Sequence, residues 1–280
     1  MGPRRRSSRR FETRSQRAAR RQSVWGWVII GAVLVVTALI VYGYQSLDRV
    51  QLDARGCPEN GGDSITVVII DGSDPITPRQ QAFLRNHLNA IKADIAVGGA
   101  LEVYRLGVDM ESLLEPLVSA CNPGRGRDVD PLTGSQVRAE KVWREVFEAP
   151  IQEAFTHLLD PSTEAWSPIF ESVQSVAITT FAAPGWQERP KRLILVSDLL
   201  QYTPDFSHYR GPGEFETFRT GRYYQRVRTD LRGVEVTNFY LPRQTRHNVQ
   251  GREHLDFWKA YFIDQGARPG RPAFFVHVEG

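Results

Sequence analysis

Residues 65–70 read ITVVII, an unbroken run of β-branched side chains with no strict alternation of apolar and polar positions. Such a run is typical of a strand that is covered on both faces, as the central strands of parallel sheets are. The segment DGSDP at 71–75 ends the strand, because Gly, Asp and Pro favour turns. This stretch therefore predicts an α/β fold built on a parallel sheet.

A helix is predicted directly after this turn. Thr77 is placed to be the N-cap, Pro78 takes the first helical position, and Gln80 completes a capping box. The apolar side chains of the helix fall on one face: Phe83, Leu84, Leu88 and Ile91. The helix is therefore expected to pack on the sheet.

Strand and helix signals alternate along the rest of the chain. The predicted strands are 101–106, 116–120, 193–196, 234–241 and 274–278, and the predicted helices lie around 142–155, from 167 onward, near 219–232 and around 255–262. Pro150 is expected to kink or split its helix. With right-handed crossovers, this order predicts a doubly wound, mostly parallel six-stranded sheet flanked by helices, with 116–120 as its antiparallel strand.

The basic character of the chain is confined to its N-terminus. Residues 1–43 contain nine Arg, no Lys and one acidic residue, whereas residues 44–280 contain 26 basic and 31 acidic residues. The composition, with 41% hydrophobic and 24% charged residues, is that of a globular protein. A short basic tail on a mildly acidic domain is therefore expected.

Residues 24–44 carry no charge, and as a helix they would span about 30 Å, the hydrocarbon thickness of a bilayer. Trp25 and Trp27 near one end and Tyr42 and Tyr44 near the other fit an interfacial aromatic belt. The pattern predicts a transmembrane helix. The arginines on its N-terminal side predict, by the positive-inside rule, an N-terminus in the cytosol.

These signals predict four segments in the chain. Residues 1–23 are expected to be a disordered, Arg-rich cytosolic tail, 24–44 the transmembrane helix, 45–63 a stalk, and 64–280 an extracytoplasmic domain. A buried soluble helix and a cleavable signal peptide are the alternatives to the membrane anchor. The expected location is the inner membrane of a bacterium, with the C-terminal domain in the periplasm.

The two cysteines, Cys57 and Cys121, both fall on the outer side of the predicted membrane helix, where cysteine pairs are more often bridged than free. Cys57 precedes the first strand and Cys121 ends the antiparallel strand, so both belong to the same sheet edge. We therefore expect a disulfide between them, with two unlinked thiols as the alternative.

Four oxygen-bearing side chains are predicted to meet at the opposite edge of the sheet, where open α/β folds place their sites. Asp71 and Ser73 follow the first strand, Asp198 follows the fourth, and Ser167 is a candidate N-cap of a helix that begins nearby. Carboxylate and hydroxyl oxygens suit a hard divalent cation. Each residue also has an ordinary explanation as a turn former or a helix cap.

The element order and these residues together resemble a von Willebrand factor A-type domain. The similarity is carried by Asp71-Gly72-Ser73 after the first strand, the helix beginning at Ser167-Pro168, and Asp198 after the fourth strand, and it covers about residues 64–280. It implies the fold described above and a role in protein–protein interaction.

The resemblance also implies a metal-ion-dependent adhesion site, which in that family uses an Asp-x-Ser-x-Ser loop. Asp71, Ser73, Ser167 and Asp198 are its implied metal ligands, and Mg²⁺ is the implied ion, with Mn²⁺ or Ca²⁺ as alternatives. Pro75 stands where the second Ser of the loop is expected and has no side-chain oxygen. The resemblance therefore predicts a degenerate site, which an acidic residue of a partner protein could complete.

Enzyme motifs are weak or absent in the sequence. A phosphohydrolase with Asp71 as nucleophile would need a second Asp where Ser73 stands. The sequence contains no Gly-x-Ser-x-Gly elbow, no phosphate-binding P-loop and no His or Cys at zinc-ligand spacing. The five arginines between 219 and 232 belong to an acidic domain, which favours a solvated face or an acidic protein partner over nucleic acid.

The sequence therefore predicts a membrane-anchored protein-interaction module for adhesion or assembly, without catalytic residues and without a small-molecule substrate. Its expected contacts are the membrane, through residues 24–44, and one or more partner proteins. The alternative is a structural scaffold of an envelope complex with no functional metal site.

Overall fold

The computed structural model describes residues 14–45, 53–58, 62–106, 113–131, 134–158, 166–211, 213–243, 245–246 and 248–279 of the 280-residue chain. The chain divides into two compact units, Met1–Val50 and Gln51–Gly280. Parts of the predicted tail and stalk, residues 1–13, 46–52 and 59–61, lie outside the described residues.

The first unit contains a single described helix, α1 (Arg14–Gln45), of 32 residues. Its segment Trp25–Gly43 has a mean hydropathy of 2.3 and the length to cross a membrane, a property that signal sequences share. The helix begins at Arg14, so residues 14–23, which were expected to be disordered, are helical in the structure. Helix propensity explains the difference, because Arg, Ala and Gln dominate this stretch.

The second unit is a mixed α/β domain with a mostly parallel sheet, as the sequence predicts. Its strands are β1 (Ile65–Ile70), β2 (Ala100–Arg105), β3 (Val118–Cys121), β4 (Lys191–Ser197), β5 (Val234–Tyr240), β6 (Arg268–Pro269) and β7 (Phe275–His277). The strand order is β3-β2-β1-β4-β5-β6, with β7 also paired to β5. All pairings are parallel except that of β3 with β2.

Seven short or medium helices accompany this sheet in the described residues. They are α2 (Pro78–Asp94), α3 (Gln136–Trp143), α4 (Ala149–Leu158), α5 (Ile169–Val176), α6 (Phe215–Arg219), α7 (Arg222–Val227) and α8 (Arg252–Asp264). A π-helical turn, Arg144–Glu148, joins α3 to α4, and Pro150 is the second residue of α4. This turn is the expected effect of Pro150, since a proline inside a helix cannot donate to the preceding turn.

The outer strand of the sheet differs from the prediction of a single strand at 274–278. It consists of two pieces, β6 and β7, so the sheet has seven strands rather than six. The segment between them includes Pro272, which has no N–H to donate to a β ladder. The interruption is therefore a consequence of local sequence.

Strand β1 is buried over its whole length, as its β-branched composition predicts. Ile65, Val67 and Ile69 belong to one apolar cluster, which includes side chains of α5 and α8. Val68 and Ile70 belong to a second cluster, which includes side chains of α2 and α4. The sheet is thus covered on both faces, and β1 lies at its centre.

The predicted capping box of α2 is present in the structure. Gln80 N donates to Thr77 Oγ1 at 3.2 Å, and Thr77 N donates to Gln80 Oε1 at 3.0 Å. Pro78 takes the first helical position, where its missing N–H costs no hydrogen bond. This cap fixes the point at which the chain leaves the turn after β1.

Cys57 and Cys121 form a disulfide, in agreement with the sequence prediction. Cys121 lies opposite Ala100 at the start of β2, so the bridge is at the amino edge of the parallel strands. The main chain reinforces it, because Cys121 N donates to Arg55 O at 2.9 Å. The bridge therefore ties residues 53–58 to the antiparallel edge of the sheet, on the side opposite Asp71.

Candidate functional site

The two candidate carboxylates leave the sheet side by side. Strands β1 and β4 are neighbours in register, with Ile70 opposite Val196, so Asp71 and Asp198 emerge at the same edge. Asp71 N donates to Val196 O at 2.9 Å, which extends the ladder to the first residue of the turn. Both residues are buried, with 3% and 1% of their surfaces exposed.

Asp71 is held by three serines. Its Oδ1 accepts from Ser73 Oγ at 2.6 Å and from Ser73 N at 3.0 Å. Its Oδ2 accepts from Ser197 Oγ at 2.8 Å and from Ser167 Oγ at 3.2 Å. Four hydrogen bonds satisfy a carboxylate that burial would otherwise make costly.

Ser167 reaches the site, but not as the predicted N-cap of α5. The helix begins at Ile169, and the buried N–H of Phe170 donates to the side chain of Gln201 at 3.0 Å. Ser167 instead forms a short antiparallel bridge with Tyr202, which leaves its hydroxyl free to donate to Asp71. The prediction that Ser167 caps α5 was wrong, because the side chain of Gln201 accepts the hydrogen bond from the first turn of this helix.

A tight turn after β4 positions Asp198. Leu200 N donates to Asp198 Oδ1 at 2.9 Å, and Leu199 has a positive φ of 58°, which is uncommon for a residue other than glycine. The carbonyl of Leu199 faces two ring nitrogens of α8, Trp258 Nε1 at 2.8 Å and His254 Nε2 at 2.9 Å. Contacts from α8 thus hold the turn in this conformation.

Arg243, just after β5, makes a buried ion pair with Asp198. Its Nε donates to Asp198 Oδ2 at 2.8 Å, and the two side chains are 9% and 2% exposed. The other guanidinium nitrogens donate to main-chain carbonyls, Nη1 to Pro75 O at 2.6 Å and Nη2 to Asp74 O at 3.5 Å. The arginine therefore connects three loops at the sheet edge.

Burial raises the pKa of Asp198 to about 6, although the Arg243 guanidinium opposes the shift. The neighbouring carboxylate of Asp71 raises it further. The environment therefore disfavours a second negative charge beside Asp71, even with an arginine present.

The site does not fit a divalent cation in this arrangement. A cation of this kind needs oxygen atoms that face it, but both oxygens of Asp71 accept hydrogen bonds and Asp198 faces a guanidinium. No group of three or more His, Cys, Asp or Glu side chains in the described part of the chain is placed to hold a metal. The Mg²⁺ binding that the sequence predicts stays a prediction, which these contacts do not support and which titration tests.

An open cleft adjoins two of the four predicted residues, Ser73 and Ser167. Its volume is about 450 Å³, and it is lined by Ser73, Asp74, Trp166, Ser167, Tyr202, Tyr209 and Arg246. Trp166 and Tyr202 lie 5.0 Å apart between ring centroids, Tyr202 and Tyr209 lie 5.4 Å apart, and the Arg246 guanidinium lies 4.7 Å from the Tyr209 ring. We call this feature the aromatic cleft.

Sequence reasoning brought Asp71, Ser73, Ser167 and Asp198 together correctly but missed two of their partners. Ser197 directly precedes Asp198, and Arg243 follows the next parallel strand, β5. The rule that selected the two aspartates, that sites lie at the carboxyl ends of parallel strands, also selects Arg243. No local pattern indicated the aromatic cleft, because its residues come from separate loops.

The arginines between 219 and 232 are partly neutralised within the domain. Arg219 pairs with Asp264 at 3.2 Å, Arg226 pairs with Asp205, and Arg232 pairs with Asp230 at 2.6 Å. These pairs are exposed or partly exposed, and each is expected to contribute little to stability. They favour the prediction of a solvated face for this segment.

Two buried histidines lie behind the turn that carries Asp198. The rings of His208 and His254 are 4.9 Å apart, and His254 Nδ1 lies 3.2 Å from Tyr240 Oη. Burial lowers the pKa of His254 to about 4, and burial together with the His254 charge lowers the pKa of His208 well below its usual value. Both rings are therefore neutral in the folded protein at neutral pH.

This pair predicts a loss of stability on acidification. Between pH 6.5 and 4 the unfolded chain takes up a proton on His254 that the folded protein does not, so the free energy of unfolding falls as the pH falls. For His254 alone, lowering the pKa to about 4 corresponds to a loss of about 2–3 kcal/mol in the free energy of unfolding at pH 4.5. Asp198, with its raised pKa, acts in the opposite direction over this range.

The measurement is thermal unfolding of the wild type and of His254→Gln from pH 7 to pH 4.5. Glutamine stays neutral and can donate to Leu199 O, while Asp198 is unchanged. The stability difference between the two proteins should narrow as the pH falls. A constant difference across the range would show that His254 does not titrate in this way.

No protein-family model matches this chain, and no curated protein matches it. Among solved structures, it is similar to the conserved hypothetical protein BatB from Bacteroides thetaiotaomicron. The TM-score is 0.38 and the sequence identity is 9%, over 78% of this chain and 91% of that one. A similarity this weak does not assign the chain to a family.

Proposed function

We propose that this chain is a membrane-anchored protein-interaction module whose C-terminal unit binds a partner protein through the aromatic cleft. The observation that carries the proposal is the position of this cleft at the carboxyl edge of the sheet. Two of its lining residues, Ser73 and Ser167, donate hydrogen bonds to the buried Asp71. Exposed Tyr, Trp and Arg side chains are enriched where proteins bind each other. The resemblance of the sequence to von Willebrand factor A-type domains supports the same class of function.

The state of Asp71 supports binding rather than catalysis. The phosphohydrolase alternative needs this carboxylate as a nucleophile, but it is 3% exposed and accepts four hydrogen bonds. A nucleophile in that state would have to lose these bonds before it could attack. Asp71 and the three serines that donate to it are better suited to hold their loops in a fixed arrangement beneath the cleft.

The proposed topology places α1 in the inner membrane of a bacterium, with the basic N-terminus in the cytosol and the C-terminal unit in the periplasm. The apolar segment Trp25–Gly43 and the clustered arginines before it support this orientation. The Cys57–Cys121 bridge supports an oxidising compartment. An oxidised cysteine pair in growing cells is the expected consequence.

The second candidate is a structural scaffold of an envelope complex that assembles through other surfaces. Neither candidate function requires a metal, because Arg243 already provides a positive charge beside Asp198. The two candidates differ in which surface touches the partner. Partner binding should resist EDTA in both.

Site-specific photocrosslinking in cells tests the choice between these surfaces. A photoreactive residue at Tyr202, which is 39% exposed in the cleft, should crosslink to a discrete partner protein. The matched control is the same residue at Ile178, which is 55% exposed away from the cleft. A Ser167→Trp variant would fill the cleft, but it is not suitable as a test. It would also remove the hydrogen bond from Ser167 to Asp71.

The cleft variants Trp166→Ala and Tyr209→Ala should each weaken the partner crosslink by about tenfold, as expected for aromatic residues at the centre of an interface. Thermal unfolding of each variant shows whether the domain is still folded. Crosslinks at position 178 that survive both variants, with none at 202, would reject the cleft and favour the scaffold.

A further inference from the structure

The sheet edge has a specific electrostatic requirement. Two carboxylates, Asp71 and Asp198, follow adjacent strands and are almost fully buried. Buried carboxylates need a compensating positive charge or dense hydrogen bonding. The serines satisfy Asp71, whereas Asp198 accepts one main-chain N–H, from Leu200, and Arg243 supplies the bond to its other oxygen.

Arg243 meets this requirement and also links the loops. Its guanidinium bonds to Asp198 after β4 and to the carbonyl of Pro75 in the turn after β1. Pro75 has no side-chain oxygen to offer a metal, but its carbonyl is an acceptor for the arginine. The guanidinium thus joins the two loops that a shared divalent cation would otherwise join.

The arginine is held in place by its own loop. The main-chain N–H of Arg243 donates to Gln250 Oε1 at 2.7 Å, and Gln250 Nε2 donates to Asp198 O and to Leu241 O, each at 3.0 Å. Gln250 therefore positions the main chain of both Arg243 and Asp198. This arrangement is a built feature of the fold and not a surface contact.

We propose that Arg243 takes the place of a divalent cation at this edge, and that its removal uncovers a latent cation site. The ligands of that site are the hydroxyl oxygens of Ser73 and Ser167, which keep lone pairs while they donate to Asp71, and the carboxylate of Asp198 once the guanidinium is gone. This set suits Mg²⁺ or Mn²⁺. The wild-type protein then needs no metal to keep its loops together. The proposal does not depend on a partner, so it can fail independently of the proposed function.

The test is titration of Mn²⁺ into the full chain in detergent micelles, followed by the electron paramagnetic resonance signal of the free ion. The wild type should show no saturable binding, whereas Arg243→Ala should bind with a dissociation constant below about 1 mM. Asp198→Asn in the Arg243→Ala background should abolish this binding. Arg192→Ala is the matched control, since it frees Asp94 from an ion pair elsewhere on the domain.

Arg243→Gln provides a second route if Arg243→Ala does not fold, because glutamine removes the charge but can still donate to Asp198 or Pro75 O. It should also gain Mn²⁺ binding, and Arg243→Lys should not. Saturable binding by the wild type that is lost in Asp71→Asn would overturn the proposal. A folded Arg243→Gln or Arg243→Ala protein that gains no binding over Arg192→Ala would overturn it as well.

Discussion

Replacement of Asp198 by alanine should lower the free energy of unfolding by about 3–5 kcal/mol, the usual cost of breaking a buried ion pair by removing one partner. Arg243 would be left buried with no carboxylate, and a guanidinium cannot lose its proton to avoid the cost. The measurement is urea unfolding of the full chain in detergent micelles, followed by tryptophan fluorescence.

Removal of Arg243 should cost less than removal of Asp198, and the difference should grow at lower pH. Asp198, whose pKa is already raised to about 6, can accept a proton when its partner is lost. The double variant should be less destabilised than the sum of the single variants by about 1–3 kcal/mol, because the two residues interact directly.

The exposed pair Arg192–Asp94 is the control for these measurements, with side chains 30% and 70% exposed. Arg192→Ala should cost no more than about 1 kcal/mol. If Asp198→Ala costs no more than this control, the buried pair does not hold the sheet edge together, and the argument for Arg243 as a substitute cation is weakened.

Loss of the Cys57–Cys121 disulfide should have an effect of similar size. The bridge closes a loop with a sequence separation of 64 residues, and the chain-entropy estimate for a loop of this length is about 4 kcal/mol. The loop includes β1, α2 and β2, so the bridge restrains the part of the unfolded chain that forms the centre of the sheet.

The variant for this measurement is Cys57→Ala with Cys121→Ala, compared with the wild type with and without reductant. Because the bridge lies at the amino edge of the strands, we expect lower stability without a change in the aromatic cleft. A loss below about 1 kcal/mol would disagree with the chain-entropy estimate. Thiol trapping in cells tests the topology with the same residues, since free thiols in the wild type would contradict a periplasmic location.

Local sequence determined much of the fold. The run at 65–70 gives the limits of β1 because β-branched side chains suit a strand that is buried on both faces. Thr77, Pro78 and Gln80 give the start of α2 because a capping box is a local arrangement of neighbouring residues. The outer piece β6 was not predicted, since the pairing of Arg268–Pro269 with β5 depends on where the chain returns after α8.

The sequence by itself also determined which oxygen-bearing side chains meet, because Asp71 and Asp198 follow neighbouring parallel strands. Only the tertiary structure decided what they do there. Arg243 lies 45 residues from Asp198 and 168 from Pro75 along the chain. Hydrogen bonds across such separations leave no local pattern, since they form only when the strands have assembled. The sequence therefore predicted a metal site from its oxygen-bearing side chains, whereas the folded protein has Arg243 beside them.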